Sequence, residues 1–235
     1  MILANHGIVS SSGGLPPSTL LTDLYAVYKA ESNANDSLGT YNGTAQGGLT
    51  YSTGKSGDAF TFNGTNAYVS LPNNSLNFTS DFSVSLWVNR AGAAVCMLFN
   101  NWYDGATPYG WYIYMSNGTL SVLLGNGTSS PICNFNSSYS LAPNNWYLVT
   151  VTKNSTSAKL YLNGILDNSA ALSSSIAYTT THYPSIGAAK YNTGLPIYHM
   201  DNGSRIDETN IWNKELTSTE VTELYNSASG KFYPY

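Results

Sequence analysis

Turn residues punctuate this chain at short intervals, and that punctuation limits the fold more than anything else in it. Asn63-Gly64, Asn117-Gly118 and Asn163-Gly164 each stand between runs in which apolar and polar residues alternate. An Asn-Gly pair supplies the positive-φ positions of a tight hairpin, and a period of two turns one face of each run toward a core. Phe82, Val84, Leu86 and Val88 alternate with Ser83, Ser85, Trp87 and Asn89, the clearest half-buried strand. Further strands are expected at residues 20–29, 94–99, 110–115, 120–124, 146–152, 158–162 and 184–189, with hairpins pairing 59–62 with 67–71, 110–115 with 120–124, and 158–162 with 165–166. Residues 126–142 read as a polar loop, 167–181 as loop with a weak strand, and 190–203 as a second long insertion. Short strands separated by turn chemistry describe an antiparallel β-sandwich.

Residues 204–225, SRIDETNIWNKELTSTEVTELY, carry a strand straight into a helix. Strict alternation places Asp207, Thr209 and Ile211 on one face and Ile206, Glu208, Asn210 and Trp212 on the other, an interior strand. Thr217 and Glu220 form a capping box, Leu216 and Val221 a hydrophobic staple, and Gly230 with Pro234 ends the element. This run resembles the C-terminal signature of laminin-G-like domains of the concanavalin A-like lectin and glucanase superfamily. Upstream, LYAVYKAESNANDSLG (24–39), GDAFTFNGTNAYVSL (57–71) and FSVSLWV (82–88) are similar to its opening strand and Asp-Ser-x-Gly turn, its F-x-G-x-x-x-Y-V hairpin and its long core strand. Thr209 stands where that pattern usually has an apolar residue. The resemblance covers about residues 24–228 and implies an all-β jelly roll with one short C-terminal helix. It also implies a Ca2+ site at Asp36 and Asp207, against which Asp36 capping its own turn is the alternative.

With 235 residues, 42% of them hydrophobic, the chain can fill one core, so residues 19–235 are read as one sandwich domain behind an arm and linker at 1–18. Only 9% of residues are charged and the net charge is -4, which excludes the cationic footprint that nucleic acid requires. No apolar stretch approaches the roughly 20 residues of a membrane span, and the N-terminus lacks the pattern of a secretory signal. The Asn-x-Ser/Thr triplets then read as turns. Cys96 and Cys133 are two buried thiols or one disulfide.

Glycosidases need two carboxyl groups flanking one bond. Here the adjacent pair, Asp207 and Glu208, would point to opposite sides of a strand. His6, His182 and His199 stand far apart, and neither a nucleophile elbow nor a phosphate-binding loop is present. Sugar recognition needs aromatic plates together with amides and carboxylates. Residues 100–114, NNWYDGATPYGWYIY, supply both, and Trp102, Tyr103, Asp104 and Tyr109 are expected in its loop. Tyr112 and Tyr114 share one strand face, with Trp111, Ile113 and Met115 on the other. Tyr198 and His199 in the second insertion complete the candidate glycan site. The apolar Ile2, Leu3, Ile8 and Val9 make the arm a tether for a partner, and this N-terminus is similar to those of small tailed-phage virion proteins. The expectation is a non-enzymatic virion surface protein of a bacteriophage, a decoration or adsorption protein. It would be docked on capsid or tail proteins through the arm, repeated as a homo-oligomer, and carry a lectin-like sandwich for host glycans. The alternatives are an extracellular carbohydrate-binding module of a polysaccharide-degrading system and a glycoside hydrolase or lyase with scattered catalytic groups.

Overall fold

The computed structural model describes residues 18–103, 107–179, 181–189 and 197–235, without the side chain of Tyr103. The arm residues Ile2, Leu3, Ile8 and Val9 lie outside the described residues, as does Asp104. A 3-10 turn at Thr19–Leu21 leads into β1 (Leu24–Tyr28), β2 (Thr44–Gln46), β3 (Thr50–Thr53), β4 (Asp58–Thr61) and β5 (Tyr68–Ser70). Next come β6 (Phe82–Asn89), β7 (Val95–Tyr103), β8 (Tyr109–Ser116), β9 (Thr119–Asn126) and β10 (Cys133–Ser140). The chain continues through β11 (Trp146–Lys153), β12 (Ser157–Leu162), β13 (Ile165–Ala171), β14 (Ser185–Ile186), β15 (Arg205–Trp212) and the helix α1 (Ser218–Tyr225). Sheet one runs β13-β12-β11-β6-β15-β4-β3, with β1 also paired to β15; sheet two runs β10-β9-β8-β7-β14-β5-β2. Between them lie the inward residues of both sheets, including Phe60, Phe82, Phe99, Trp111 and Ile113, all essentially inaccessible. This is the antiparallel jelly-roll sandwich that the alternation requires.

The outer faces of the two sheets differ. Sheet one is covered by Leu20 and the C-terminal segment, whose Leu216, Val221 and Leu224 pack on Trp87, Leu148, Tyr161 and Trp212. Burying each such aliphatic side chain contributes about 1.5–3 kcal/mol. Thr217 caps α1 through its side chain, and Glu220 closes the capping box while its Oε1 also accepts from Thr19 at 2.5 Å and Lys214 at 2.6 Å. The indole N–H of Trp212 donates to Leu20 O at 2.7 Å, and the Tyr235 ring stacks on Trp212. Both ends of the described chain therefore meet at Trp212. Because of this cover all eight residues of β6 are buried, where alternation alone indicates a half-buried strand.

Other departures follow from packing. Residues 59–62 and 67–71 do not form a hairpin: β4 pairs within sheet one and β5 within sheet two. Asn63 bridges the two, its Oδ1 accepting from the amides of Thr65, Asn66 and Ala67. The expected loop at 126–142 contains β10, while the weak strand expected within 167–181 is the end of β13, which occupies 167–171. These two are outermost strands, joined by side chains instead of a ladder: Asp167 Oδ2 accepts from Ser138 N at 2.8 Å, and Asn168 donates to Asn136 O at 2.7 Å. The hairpins at Asn117-Gly118 and Asn163-Gly164 form as read. Cys96 and Cys133 are buried free thiols.

Strict alternation fails in β15. The register on β6 shifts between Asp207 and Asn210, and Glu208 adopts φ 47°. Ile206 and Ile211 consequently both enter the inter-sheet core, while Asp207 pairs beside Trp87. A bulge inserts an extra residue and resets which face follows. Glu208 is 1% exposed and neither carboxyl oxygen has a hydrogen-bond partner. Burial, and then the charge of Asp207, pushes its pKa up from 4.5 to about 8. The folded chain thus holds a proton that the unfolded chain releases, and stability falls as pH rises between about 4.5 and 8. Urea denaturation should show a loss on the order of 3 kcal/mol across that window, and Glu208→Gln should make the slope shallower, leaving the part that Asp207, also raised by burial, contributes below about pH 7. A variant with the same pH slope as the natural chain would contradict this assignment.

Candidate functional site

Among the described residues no helix covers the outer face of sheet two, and side chains of its strands make most of the surface. In β8 the inward set is Trp111, Ile113 and Met115, which leaves Tyr112 and Tyr114 pointing out. In β7 a register shift between Met97 and Phe99 sends Leu98 and Phe99 both inward. The shift changes the parity of the strand, so Met97 and Trp102 reach the same outer face although they stand five positions apart. Trp102 sits opposite Gly110, whose φ is 81° and whose added Cβ would lie 2.0 Å from Asn101 O. Only glycine fits there, because a side chain would collide with the Asn101 carbonyl and crowd the His182 ring.

Four rings then follow one another across the face. Trp102 and Tyr112 have centroids 5.0 Å apart, Tyr112 and Tyr114 6.1 Å, and Tyr114 and Tyr198 6.1 Å. Tyr198 is held by its backbone. A bridge pairs Ala189 with Ile197, Tyr198 turns to φ 55°, and its carbonyl accepts from Met97 N at 2.9 Å beside the bulge. A non-glycine residue at positive φ costs energy and persists where its surroundings determine it. The ring is 41% exposed. Along the far wall, Tyr114, Ser121 and Asn136 stand side by side across β8, β9 and β10, with Ser121 Oγ donating to Asn136 Oδ1 at 2.6 Å. Asn134 lines the same groove of about 370 Å³, and both asparagines are exposed. Burial, then the neighbouring Tyr114 and Tyr198, pushes the Tyr112 pKa up to about 12, so the phenol stays neutral and able to donate.

Of the residues expected from sequence, Trp102 and Tyr198 come together in this groove. Trp102 is on a strand, because β7 extends four residues beyond the expected 94–99. Tyr109 is not with them: it shares the parity of Trp111, and its ring lies where a Cβ on Gly127 would stand. His199 follows Tyr198 but does not line the groove. Tyr103 ends β7, and its side chain, like Asp104, falls outside the described residues. Tyr112 and Tyr114 were legible from their alternation; Met97, Ser121, Asn134 and Asn136 had no comparable signal.

Residues 63–222 match the family described as the concanavalin A-like lectin/glucanases superfamily. The chain belongs to this superfamily. Domain 4 of AbnA, an extracellular arabinanase from Geobacillus stearothermophilus solved with arabinotriose, superposes with a TM-score of 0.65 at 21% identity, covering 86% of this chain and 97% of that one. The binding domain of Paraclostridial Mosquitocidal Protein 1 gives 0.70 at 20% identity, over 88% of this chain and 52% of that one. These two likenesses carry the fold. In sequence, the botulinum-like toxin eBoNT/J of an Enterococcus species is 27% identical over 173 residues, 66% of this chain; the match spans 12% of that toxin.

The calcium site implied for this superfamily member at Asp36 and Asp207 meets a physical obstacle. Asp36 Oδ1 accepts from the amides of Val27 at 2.9 Å and Leu38 at 3.0 Å, and Oδ2 from those of Thr40 at 3.1 Å and Tyr41 at 3.0 Å. An ionised carboxylate has about four acceptor positions, and here all are taken. Asp207 Oδ2 accepts from Lys55 N at 2.7 Å and Ser56 N at 3.0 Å, and Oδ1 from Glu208 N at 2.7 Å. Burial pushes this carboxyl up to about 7 against those three donors. Amide hydrogens aimed at the oxygens occupy the space a cation would need, so the donor set does not fit Ca2+. Each aspartate instead orders a loop, the self-capped turn in the case of Asp36. Asp36→Ala should lower stability by about 3 kcal/mol through its stranded amides, equally in calcium and in chelator. A melting temperature of the natural chain that falls on adding EDTA would restore the metal.

Proposed function

We propose that this chain is a non-enzymatic carbohydrate-binding module acting outside the cell, which takes its glycan on the outer face of sheet two. The observation that carries the reading is the row of Trp102, Tyr112, Tyr114 and Tyr198 beside Ser121, Asn134 and Asn136. Rings supply apolar plates for sugar faces, and amides and hydroxyls meet sugar hydroxyl groups. Related proteins support it: one solved relative is an arabinanase domain with bound arabinotriose, and another is the binding domain of a toxin. Binding is favoured over hydrolysis because no carboxylate is among the described lining residues. The Asp207–Glu208 pair is buried in sheet one, away from the groove.

The relatives are an arabinanase domain and toxin proteins. A virion setting therefore rests on the arm, which lies outside the described residues. A secreted or surface-displayed parent protein accommodates the sandwich equally well.

Trp102→Ala and Tyr114→Ala should each weaken glycan binding by about 1 kcal/mol or more, read by array screening followed by calorimetry on the best ligand. Circular dichroism should be unchanged for both. Full affinity in both variants would remove the groove from the proposal.

A further inference from the structure

The lining of the groove narrows the class of glycan, an inference that rests on the carbohydrate-binding reading above. We propose that the groove selects an uncharged oligosaccharide whose sugar planes turn from one unit to the next, and that it disfavours both acidic glycans and flat ribbon-like chains.

Charge is the first argument. Recognition of a sugar carboxylate or sulfate calls for Arg or Lys at the site, and desolvating an anion without such a partner is costly. The chain has nine Lys and Arg residues, and those described are engaged elsewhere. Lys159, Lys214 and Lys231 pair with Glu215, Glu220 and Glu223 beside sheet one and α1. Lys55 and Arg205 lie over Trp87 and Trp146, also on sheet one. Lys153 donates to Ser80 O, Arg90 to Leu141 O and Gly92 O, and Lys29 acts on the buried Glu208. Lys190 falls outside the described residues. Tyr112 and Tyr114 are shifted upward by burial and by neighbouring phenols, with no cation among the causes. The described wall is built of neutral groups that donate and accept, which suits hydroxyls.

Ring geometry is the second argument. A flat ribbon lays successive sugar faces on coplanar plates. Here neighbouring ring planes are inclined by 67°, 55° and 84° along the row, so no two consecutive rings offer a common plane. A chain that contacts them in turn has to rotate as it advances. The row has three successive spacings of 5.0, 6.1 and 6.1 Å, which favours an oligosaccharide over a single terminal sugar.

The test is titration calorimetry of the full chain with four probes: malto-oligosaccharides and arabino-oligosaccharides, neutral and turning; cello-oligosaccharides, neutral and flat; and oligogalacturonides, acidic. The expected result is binding of one or both turning series, with affinity rising from disaccharide to tetrasaccharide, and at least tenfold weaker binding of the flat and acidic series. Binding of the expected series should weaken in Tyr114→Ala and in Asn136→Ala, the latter an exposed position with no role in the core. Equal or tighter binding of the cello-oligosaccharides or oligogalacturonides, still lost in those variants, would overturn the selectivity and leave the carbohydrate-binding reading standing. No binding to any probe, or binding indifferent to both variants, would overturn the selectivity and the use of this groove together.

Discussion

Coverage of one sheet by the chain's own C-terminal segment is the constraint on which the rest depends. The indole of Trp212, hydrogen-bonded to Leu20 and stacked under Tyr235, fixes where that segment lies. With α1 seated on Trp87, Leu148 and Tyr161, β6 and β15 become interior strands on both faces. The apolar face of α1 is then committed to sheet one. Sheet two is left to present rings and amides to solvent, the composition of a binding surface.

An interior strand that carries Asp207, Glu208, Thr209 and Asn210 in succession raises a cost that the fold meets unevenly. Asp207 is repaid by three backbone amides and thereby orders the turn at Lys55 and Ser56. Glu208 has no such compensation. Its left-handed backbone is nevertheless what allows Ile206 and Ile211 to enter the same core. A register shift in β7 does the equivalent on the other sheet, where it brings Met97 and Trp102 to one face. Two irregularities, one in each sheet, thus determine which side chains are core and which are surface.

These irregularities also explain what the sequence could and could not reveal. The fold class, the hairpins at Asn117-Gly118 and Asn163-Gly164, and the capping box at Thr217 depend on local chemistry, and they were legible. Face assignments in β15 were not, because alternation has no way to register an inserted residue. Strand β10, CNFNSSYS, looks like loop because its outward positions are Asn and Ser, the groove's polar wall. Asn63-Gly64 carries a hairpin's dipeptide but connects two sheets, an outcome decided by what β4 and β5 pair with. In the candidate site, Trp102 and Tyr198 stood out as aromatic residues in apparent loops. Their partners Tyr112 and Tyr114 were visible as a face, and only the packed structure joins them into one row.

The meeting of Leu20 and Tyr235 at Trp212 has a consequence for how the sandwich can be mounted. Trp212 belongs to the outer side of sheet one, and the ring row belongs to the outer side of sheet two. Anything joined after Tyr235 would leave from the side of the sandwich opposite the groove, much as a handle leaves the back of a mirror. A tether at that point would hold the aromatic face toward the surroundings, without a neighbouring module shading it.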